Sequence, residues 1–214
     1  MASINRTNYP QVTEPKDIRE WRARYDLVEG EVKLAQEHAR GGKRMLAFLV
    51  LLKTFQNVGY FVELDTIPKR ITSYVRDQLQ EHRPDEKQIA SDGELGVSKP
   101  TLYEYRVVIR QYRGVKAFDD SSRAGLTTEL TQAAQTMNST ADLINVGVEW
   151  LIKERWELPA YSTLDRMAGH IKQRVNDALF DQVYEAMPSE QKIICRRLLH
   201  QSNRGMGVGS NGRA

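Results

Sequence analysis

The segment from Met45 to Leu52 lacks any polar side chain, and it constrains the fold more than any other feature of the sequence. A helix that spans a bilayer needs about 20 mostly apolar residues, and Lys43, Arg44 and Lys53 bracket a much shorter run. The run also starts too far from the N-terminus for a secretory signal, and no small-residue cleavage site follows it. We therefore expect a helix that is apolar on every side and buried at the centre of a domain, with no membrane partner.

The composition is typical of a soluble globular protein, because 40% of the 214 residues are hydrophobic and 28% are charged. This length suits one large domain or two small ones. The only cysteine, Cys195, excludes an intrachain disulfide and favours a reducing, cytoplasmic compartment. A net charge of +3 is mildly basic, and alone it is weak evidence for a nucleic-acid partner.

Helical periods recur along the first half of the chain, and clean alternating runs with hairpin turns are scarce, so we expect an all-α fold. The expected helices lie over 14–39 and over 43–58, the second ending at Gly59. Another follows, capped by Thr66 and with Pro68 in its first turn. A short piece over 84–95 then leads into a basic helix, which begins at a cap at Ser98 or Thr101, buries Leu102, Val108, Ile109 and Tyr112, and ends at Gly114.

The second half shows another set of helical signals after a polar, irregular stretch over 119–125, where we place a domain boundary. A helix over 126–137 precedes two helices that we expect to begin with capping boxes. The boxes are Ser139 with Asp142, opening a helix to about Trp156, and Ser162 with Asp165, opening a helix to about Met187. Pro188 should end that helix, and a last helix should follow it.

These signals predict two successive helical modules with helix-turn-helix-like character, over 1–120 and 121–202, and a glycine-rich disordered tail over 203–214. The second helix of such a pair fits the major groove, where its first residues reach base edges and its N–H groups face phosphates. The candidate DNA-binding residues are Ser98, Lys99, Thr101, Tyr103, Arg106, Arg110 and Arg113 in the first module, and Tyr161, Ser162, Thr163, Arg166, His170, Lys172 and Arg174 in the second. By spacing alone, a solvated basic face without a partner explains each helix equally well.

Three segments resemble the N-terminal region of transposases of the Tn-three family. The opening run RMLAFLVLLKTFQNVGYF with IPKRITSYVRDQL carries the family's phrase through Arg44, Phe55, Gly59, Phe61, Ile67, Pro68, Tyr74, Val75, Gln78 and Leu79. The stretch YEYRVVIRQYRGVKAF is similar through Ile109, Arg110, Tyr112, Gly114 and Phe118, but departs at Tyr105, near which the family has a histidine. The most specific phrase is ELPAYSTLDR, through Leu158, Pro159, Tyr161, Ser162, Thr163, Leu164, Asp165 and Arg166.

The resemblance covers roughly residues 10–200 and implies recognition of the terminal inverted repeats of a transposon. It also implies a bacterial, nucleoid-associated location. The family's acidic catalytic residues lie in a C-terminal domain, before which we expect this chain to stop. We therefore expect no enzyme activity, with double-stranded DNA and an intact transposase as partners. The alternatives are a helical protein-interaction domain without DNA, and a fragment that works with a separate catalytic chain.

Other chemistry finds no support in the sequence. The stretch from Arg40 to Arg44 has arginine where a phosphate loop needs serine or threonine for magnesium. The four histidines and Cys195 lack the spacing of metal ligands, and no nucleophile motif of the Gly-x-Ser-x-Gly type occurs. We therefore expect no catalytic residue, no metal and no cofactor.

Overall fold

The computed structural model describes residues 3–83 and 95–194, and within these ranges the regular structure is helical, without a β-strand. This confirms the all-α prediction. The helices are α1 (Ile18–Tyr25), α2 (Glu29–His38), α3 (Gly42–Val58), α4 (Lys69–His82), α5 (Lys99–Arg113), α6 (Asp120–Ala133), α7 (Thr140–Lys153) and α8 (Tyr161–Ala186). A further helical segment begins at Ser189 and continues to the last described residue.

The helix α3 lies at the centre of a first hydrophobic core, as the apolar run predicts. Every side chain from Met45 to Phe55 is buried, and α1, α2, α4 and α5 each pack against this helix. Gly59 ends α3 with φ of 74°, a left-handed conformation that favours glycine, and its N–H donates to the Phe55 carbonyl at 2.8 Å. Within the described ranges, none of the helices combines the length and the hydrophobicity that a membrane span requires.

The region 14–39 forms two helices, so the prediction of one long helix there was wrong. The chain leaves α1 at Asp26, and Leu27 enters the core as a buried side chain. The Val28 N–H then donates to the carboxylate of Glu31 at 3.1 Å, which starts α2 afresh. The break lies in the backbone of Asp26 and Val28, which have non-helical ψ values of 133° and 152°.

The carboxylate of Glu31 is buried beside α3 and fully partnered. It accepts hydrogen bonds from the Lys53 ammonium at 2.7 and 3.0 Å and from the Gln56 amide at 2.7 Å. Both charged side chains are almost inaccessible to solvent. A buried ion pair of this kind is tolerated only when further hydrogen bonds satisfy its remaining atoms, as they do here.

The start of α4 also differs from the prediction. Thr66 belongs to a short 3₁₀ turn, Leu64–Thr66, and its hydroxyl donates to the Glu63 carbonyl at 2.8 Å, so it does not cap the helix. Pro68 occupies the N-cap position, outside the first turn. The residue before a proline is restricted to extended backbone, and Ile67 has ψ of 131°, so α4 begins only after Pro68.

A second hydrophobic core lies among α6, α7 and α8, which pack against one another in all three pairings. Its buried members include Leu126, Leu130, Leu143, Ile144, Val148, Leu151, Leu164 and Ala168. The N-terminal segment also contributes, because Tyr9 is buried in this core and Ile4 packs against it. The domain boundary after residue 120 stays a prediction.

The stretch 119–125 was wrongly predicted as irregular, since most of it forms the first turns of α6. The Asp119 carboxylate accepts from the Ser122 N–H at 2.9 Å, and the Ser122 hydroxyl lies 2.7 Å from the Asp119 N–H. This reciprocal capping box satisfies two backbone groups at the helix start. The hydrogen bonds also lower the pKa of Asp119, chiefly through the Ser122 backbone N–H. A polar cluster therefore marks a helix N-terminus here.

The prediction that Ser162 and Asp165 form a capping box at the start of α8 was wrong. Ala160 is the N-cap residue, and no side chain accepts a hydrogen bond from the first turn. Asp165 lies one turn further along and is buried, so Ser162 and Asp165 do not form the expected pair. The Ser139 side chain does cap α7, accepting from the Asp142 N–H at 3.4 Å, and that helix ends at Lys153.

Two expected elements lie outside the described residues. The short piece over 84–95 falls there except for Leu95, which is buried in the first core. The tail over 203–214 falls there as well, as does Cys195. Since the piece before α5 would be the first helix of the first helix-turn-helix pair, the helix-turn-helix character stays a prediction.

Candidate nucleic-acid interface

One side of α5 carries five of the candidate residues, and we call it the α5 face. Lys99, Tyr103, Arg106, Arg110 and Arg113 follow one another at intervals of four and three residues, which places them along one side of a helix. Lys99, Tyr103 and Arg113 are exposed, with 68% of Tyr103 accessible to solvent. This face is therefore open to a partner at both ends and partly covered in between.

The side of α5 that packs on the first core was only partly predicted. Ile109 is buried as expected, but Tyr112 is 44% exposed. Tyr105 is 1% exposed instead, with its ring edge-on to Phe48 at 5.1 Å between centroids. Burial raises the pKa of the Tyr105 hydroxyl. The position where the resemblance departs from its family pattern is thus a core position in this chain.

The N-terminus of α5 is capped by candidate residues themselves. The Ser98 hydroxyl accepts from the Thr101 N–H at 3.5 Å and lies 2.9 Å from the Thr101 hydroxyl. Capping accounts for both residues without a ligand. Ser98 is exposed beside Lys99 and Thr101 is half-buried, so Ser98 is the more accessible of the two to a phosphate at the positive end of the helix.

The middle of the α5 face is engaged inside the protein. The guanidinium groups of Arg106 and Arg110 lie 5.5 and 5.1 Å from the centroid of the Phe61 ring. Arg110 Nε also donates to the Glu157 carboxylate at 2.7 Å, with the two side chains only 19% and 15% exposed. We call α1–α5 with the first core the first helical unit, and α6–α8 with the second core the second helical unit. Arg110 is therefore directed towards the second helical unit, which leaves Lys99, Tyr103 and Arg113 as the accessible part of this face.

One side of α8 carries a second exposed set, which we call the α8 face. Ser162, Arg166, His170 and Arg174 follow one another at intervals of four residues, and all four are exposed. The first turn of α8 contains no acidic residue and no side-chain cap, so the positive end of the helix dipole is not neutralised from within. The α8 face therefore combines arginine side chains with an electropositive helix end.

The remaining candidates of α8 are less accessible. Thr163 and Tyr161 are half-buried, and the Tyr161 ring lies 5.5 Å from that of Tyr9. Burial raises the pKa of the Tyr161 hydroxyl. The Lys172 ammonium donates to the Asn138 carbonyl, and Arg174 Nη2 donates to the Thr131 hydroxyl at 3.3 Å. Lys172 thus contacts the loop between α6 and α7, and the exposed Arg166 and His170 form the accessible centre of the α8 face.

The end of α5 and the start of α8 border the same open groove of about 490 Å³. Its lining includes Arg110 from α5, Tyr161 from α8, and the aromatic rings of Tyr9, Phe61 and Phe118. The sequence pointed to neither Tyr9 nor Glu157, because nothing local signals partners so distant along the chain. Within the described part of the chain, no group of three or more His, Cys, Asp or Glu side chains is placed to bind a metal ion.

Comparison with known proteins places this chain in a family. Residues 1–171 match the family described as a domain of unknown function, DUF4158. The chain belongs to the DUF4158 family. It is also 24% identical over 194 residues to the transposase for transposon gamma-delta of Escherichia coli (strain K12), which covers 89% of this chain and 19% of that protein.

A second relative is the transposase for transposon Tn501 of Pseudomonas aeruginosa, 26% identical over 176 residues, or 82% of this chain and 17% of that protein. The predicted resemblance to the N-terminal region of Tn-three family transposases is confirmed by these matches. The chain spans less than a fifth of the length of these two relatives.

Proposed function

We propose that this chain binds double-stranded DNA at the ends of a transposable element and contributes no catalytic residue of its own. The observation that carries the proposal is that two transposases from different bacteria align with more than four fifths of the chain. The α5 and α8 faces support it, because the exposed Lys99 lies at the N-terminus of α5 and the exposed Arg166 follows the first turn of α8. Both features suit contact with a phosphate backbone.

Recognition would combine the reading of bases with contacts to phosphates. A helix in the major groove reads base edges through residues of its first turns, and on α8 these are Ser162 and Arg166. Arginine pairs with phosphates generally and with guanine bidentately. Phosphate contacts would supply most of the affinity and make it fall steeply with salt.

Cleavage and strand transfer would belong to other parts of a longer transposase or to a separate chain. A protein that occupies the ends without cutting them would compete with an intact transposase. Adding the purified chain to a transposition reaction should then lower the yield of product. An unchanged yield at saturating concentration would remove the proposed competition.

The direct test is selection from a randomised duplex library, followed by fluorescence anisotropy with the selected duplex and a scrambled one. We expect tighter binding to the selected duplex, by about 10³-fold or more at physiological salt. We also expect the affinity for both duplexes to fall as salt rises. Equal affinity for the two duplexes would contradict sequence recognition, and no affinity for either would contradict DNA binding.

A matched pair of variants tests whether α8 contacts the DNA. Arg166→Ala should weaken binding to the selected duplex by about 1–3 kcal/mol if the guanidinium contacts a base. The exposed Lys153 at the end of α7 provides the control, since it lies on neither face. Lys153→Ala should leave the affinity unchanged, and equal effects of both changes would indicate only a loss of net positive charge.

A protein-interaction role is the second candidate, and an apolar surface on α8 favours it. Leu179, Phe180 and Val183 lie on one side of the second half of this helix and are 56%, 69% and 53% exposed. Exposed apolar patches of this kind mark contact surfaces for other proteins. A Phe180→Asp variant that binds DNA normally would show that this surface is not required for DNA binding.

A further inference from the structure

The two helical units meet at a set of contacts that we call the junction, formed by residues 114–118, residues 155–160 and Gly59. Three backbone hydrogen bonds cross it. The Lys116 N–H donates to the Arg155 carbonyl at 2.8 Å, and the Glu157 N–H donates back to Lys116 at 2.8 Å. The Leu158 N–H donates to the Gly59 carbonyl at 2.9 Å. The segments that leave α5 and enter α8 are thus paired with each other and with the end of α3.

Side chains reinforce this pairing on the α5 side. The Arg110 guanidinium and the Glu157 carboxylate form an ion pair that is mostly shielded from solvent. The Lys116 ammonium lies 4.4 Å from the centroid of the Trp156 ring. A partly buried, charge-assisted hydrogen bond is stronger than an exposed one, so these contacts restrict rotation of the second unit about the end of α5.

The N-terminal segment connects the same two units from the other side. The Tyr9 hydroxyl donates to the Pro159 carbonyl at 2.9 Å, just before α8. The Tyr9 ring lies 5.2 Å from that of Tyr60, and the Tyr60 hydroxyl donates to the Pro10 carbonyl at 3.2 Å. Tyr9 therefore packs between the end of the first unit and the start of α8.

We propose that the junction holds α5 and α8 at one separation and orientation, so that the DNA ligand must present its two contact segments at one spacing and one helical phase. This inference rests on the proposed function and defines its ligand more narrowly. In it, Glu157 and Tyr9 are positioning residues, because they act on DNA binding through the placement of the two faces. Two contacts held together multiply their affinities only when the geometry lets both form at once.

The test uses the selected duplex, with its two protected segments first located by footprinting. Inserting half a helical turn, about 5 base pairs, rotates one segment to the opposite side of the duplex. Inserting a whole turn, about 10 base pairs, restores the phase but increases the separation. We expect the intact chain to bind each of the two duplexes with an insertion about 100-fold or more weakly than the selected duplex. The remaining affinity should equal that for a duplex with only one of the two segments.

A flexible connection between the units gives a different result. It would tolerate the whole-turn insertion, and affinity unchanged by that insertion would overturn the inference while leaving DNA binding established. If the chain binds no duplex, the proposed function itself fails. The two failures are therefore distinguishable in one series of measurements, and the series on the intact chain needs no variant.

Variants at the junction show which residues set the spacing. Glu157→Gln combined with Tyr9→Phe keeps both shapes and removes the carboxylate charge and the hydroxyl hydrogen bond. We expect weaker binding to the original duplex and a smaller penalty for the whole-turn insertion. Glu149→Gln, an exposed change on α7, should leave both quantities unchanged.

An exchange of charges separates positioning from a general loss of stability. Arg110→Glu combined with Glu157→Arg should restore the insertion penalty that Glu157→Arg alone reduces, because the ion pair forms again in reverse. If every junction variant keeps the full insertion penalty while remaining folded, Glu157 and Tyr9 do not position the helices.

Discussion

The two helical units bury their hydrophobic cores in different ways. In the first unit, α3 is surrounded by other helices, and its side chains are buried along almost its whole length. In the second unit, each helix keeps one exposed side, and α8 extends past its last buried residue, Ile171. A central apolar helix specifies its position by hydrophobicity alone, whereas three amphipathic helices depend on caps and close approaches. The first unit should therefore respond most strongly to lost volume, and the second to local geometry.

The largest effect is expected from Phe48→Ala in the middle of α3. Its ring is fully buried and contacts Tyr105 of α5, so the change leaves a cavity that its neighbours cannot refill. Loss of a buried phenylalanine costs about 3–5 kcal/mol. Urea unfolding followed by circular dichroism measures it, and the exposed Leu179→Ala serves as control, with a change within about 0.5 kcal/mol. Equal effects would contradict a central role for α3.

Loss of one partner of the buried ion pair should destabilise the first unit by a similar amount. Glu31→Ala leaves the Lys53 ammonium buried without its partner, which costs about 3–5 kcal/mol. Replacing both residues, as Glu31→Leu with Lys53→Met, should recover most of this loss, because no uncompensated charge remains. The same unfolding assay compares the two variants. A double variant as unstable as the single one would show that the pair is required for more than charge compensation.

A close approach in the second unit should give an intermediate effect. A Cβ atom at Gly125 in α6 would lie 2.7 and 2.9 Å from two atoms of the Trp150 ring, so Gly125→Ala must displace that side chain. Overpacking of this kind costs about 1–3 kcal/mol. Gly169 in α8 has no atom within 4 Å of such a Cβ, and Gly169→Ala should be neutral or stabilise by up to about 1 kcal/mol. Thermal unfolding of both variants tests the contrast.

The smallest effect should appear only at alkaline pH. Burial, followed by a hydrogen bond to Asp26, raises the pKa of Tyr74 to about 12 from its ordinary value of 10.0. Burial also raises the pKa of Tyr9. The unfolded state therefore loses these protons first, so their stabilisation is complete below pH 10 and disappears as pH rises through the folded-state pKa.

The check on this pH effect is the slope of unfolding free energy between pH 9 and 12. Tyr74→Phe in the first unit and Tyr9→Phe at the junction should each have a shallower decline than the unaltered chain. Tyr103→Phe changes an exposed tyrosine and is the control. If neither Tyr74→Phe nor Tyr9→Phe alters the slope, the raised pKa values of these two tyrosines do not explain the loss of stability at alkaline pH.

The sequence predicted the elements whose signals are local. The apolar run specified α3, and Gly59 and Gly114 marked helix ends because both adopt left-handed backbone. Positions that depend on distant partners were missed. The break before α2 involves Glu31 and Lys53, 22 residues apart, and Arg110 meets Glu157, 47 residues away. No periodicity within one helix encodes such pairs.

In the candidate interface, too, the sequence predicted local features and missed contacts between distant residues. Spacing along α5 and α8 predicted which residues share a side of each helix, since helix geometry alone determines this. It could not show that Arg110 is directed into the junction, or that Lys172 contacts the Asn138 carbonyl. The accessible residues of each face emerge only when the neighbouring unit is in place.

Hydroxyl-radical footprinting of the selected duplex at saturating protein tests most directly whether α5 and α8 both read DNA. Recognition by both helices predicts two protected segments on one duplex. Arg113→Ala should weaken protection of one segment, and Arg166→Ala should weaken protection of the other. A single protected segment, or the same segment affected by both changes, would contradict recognition by two helices.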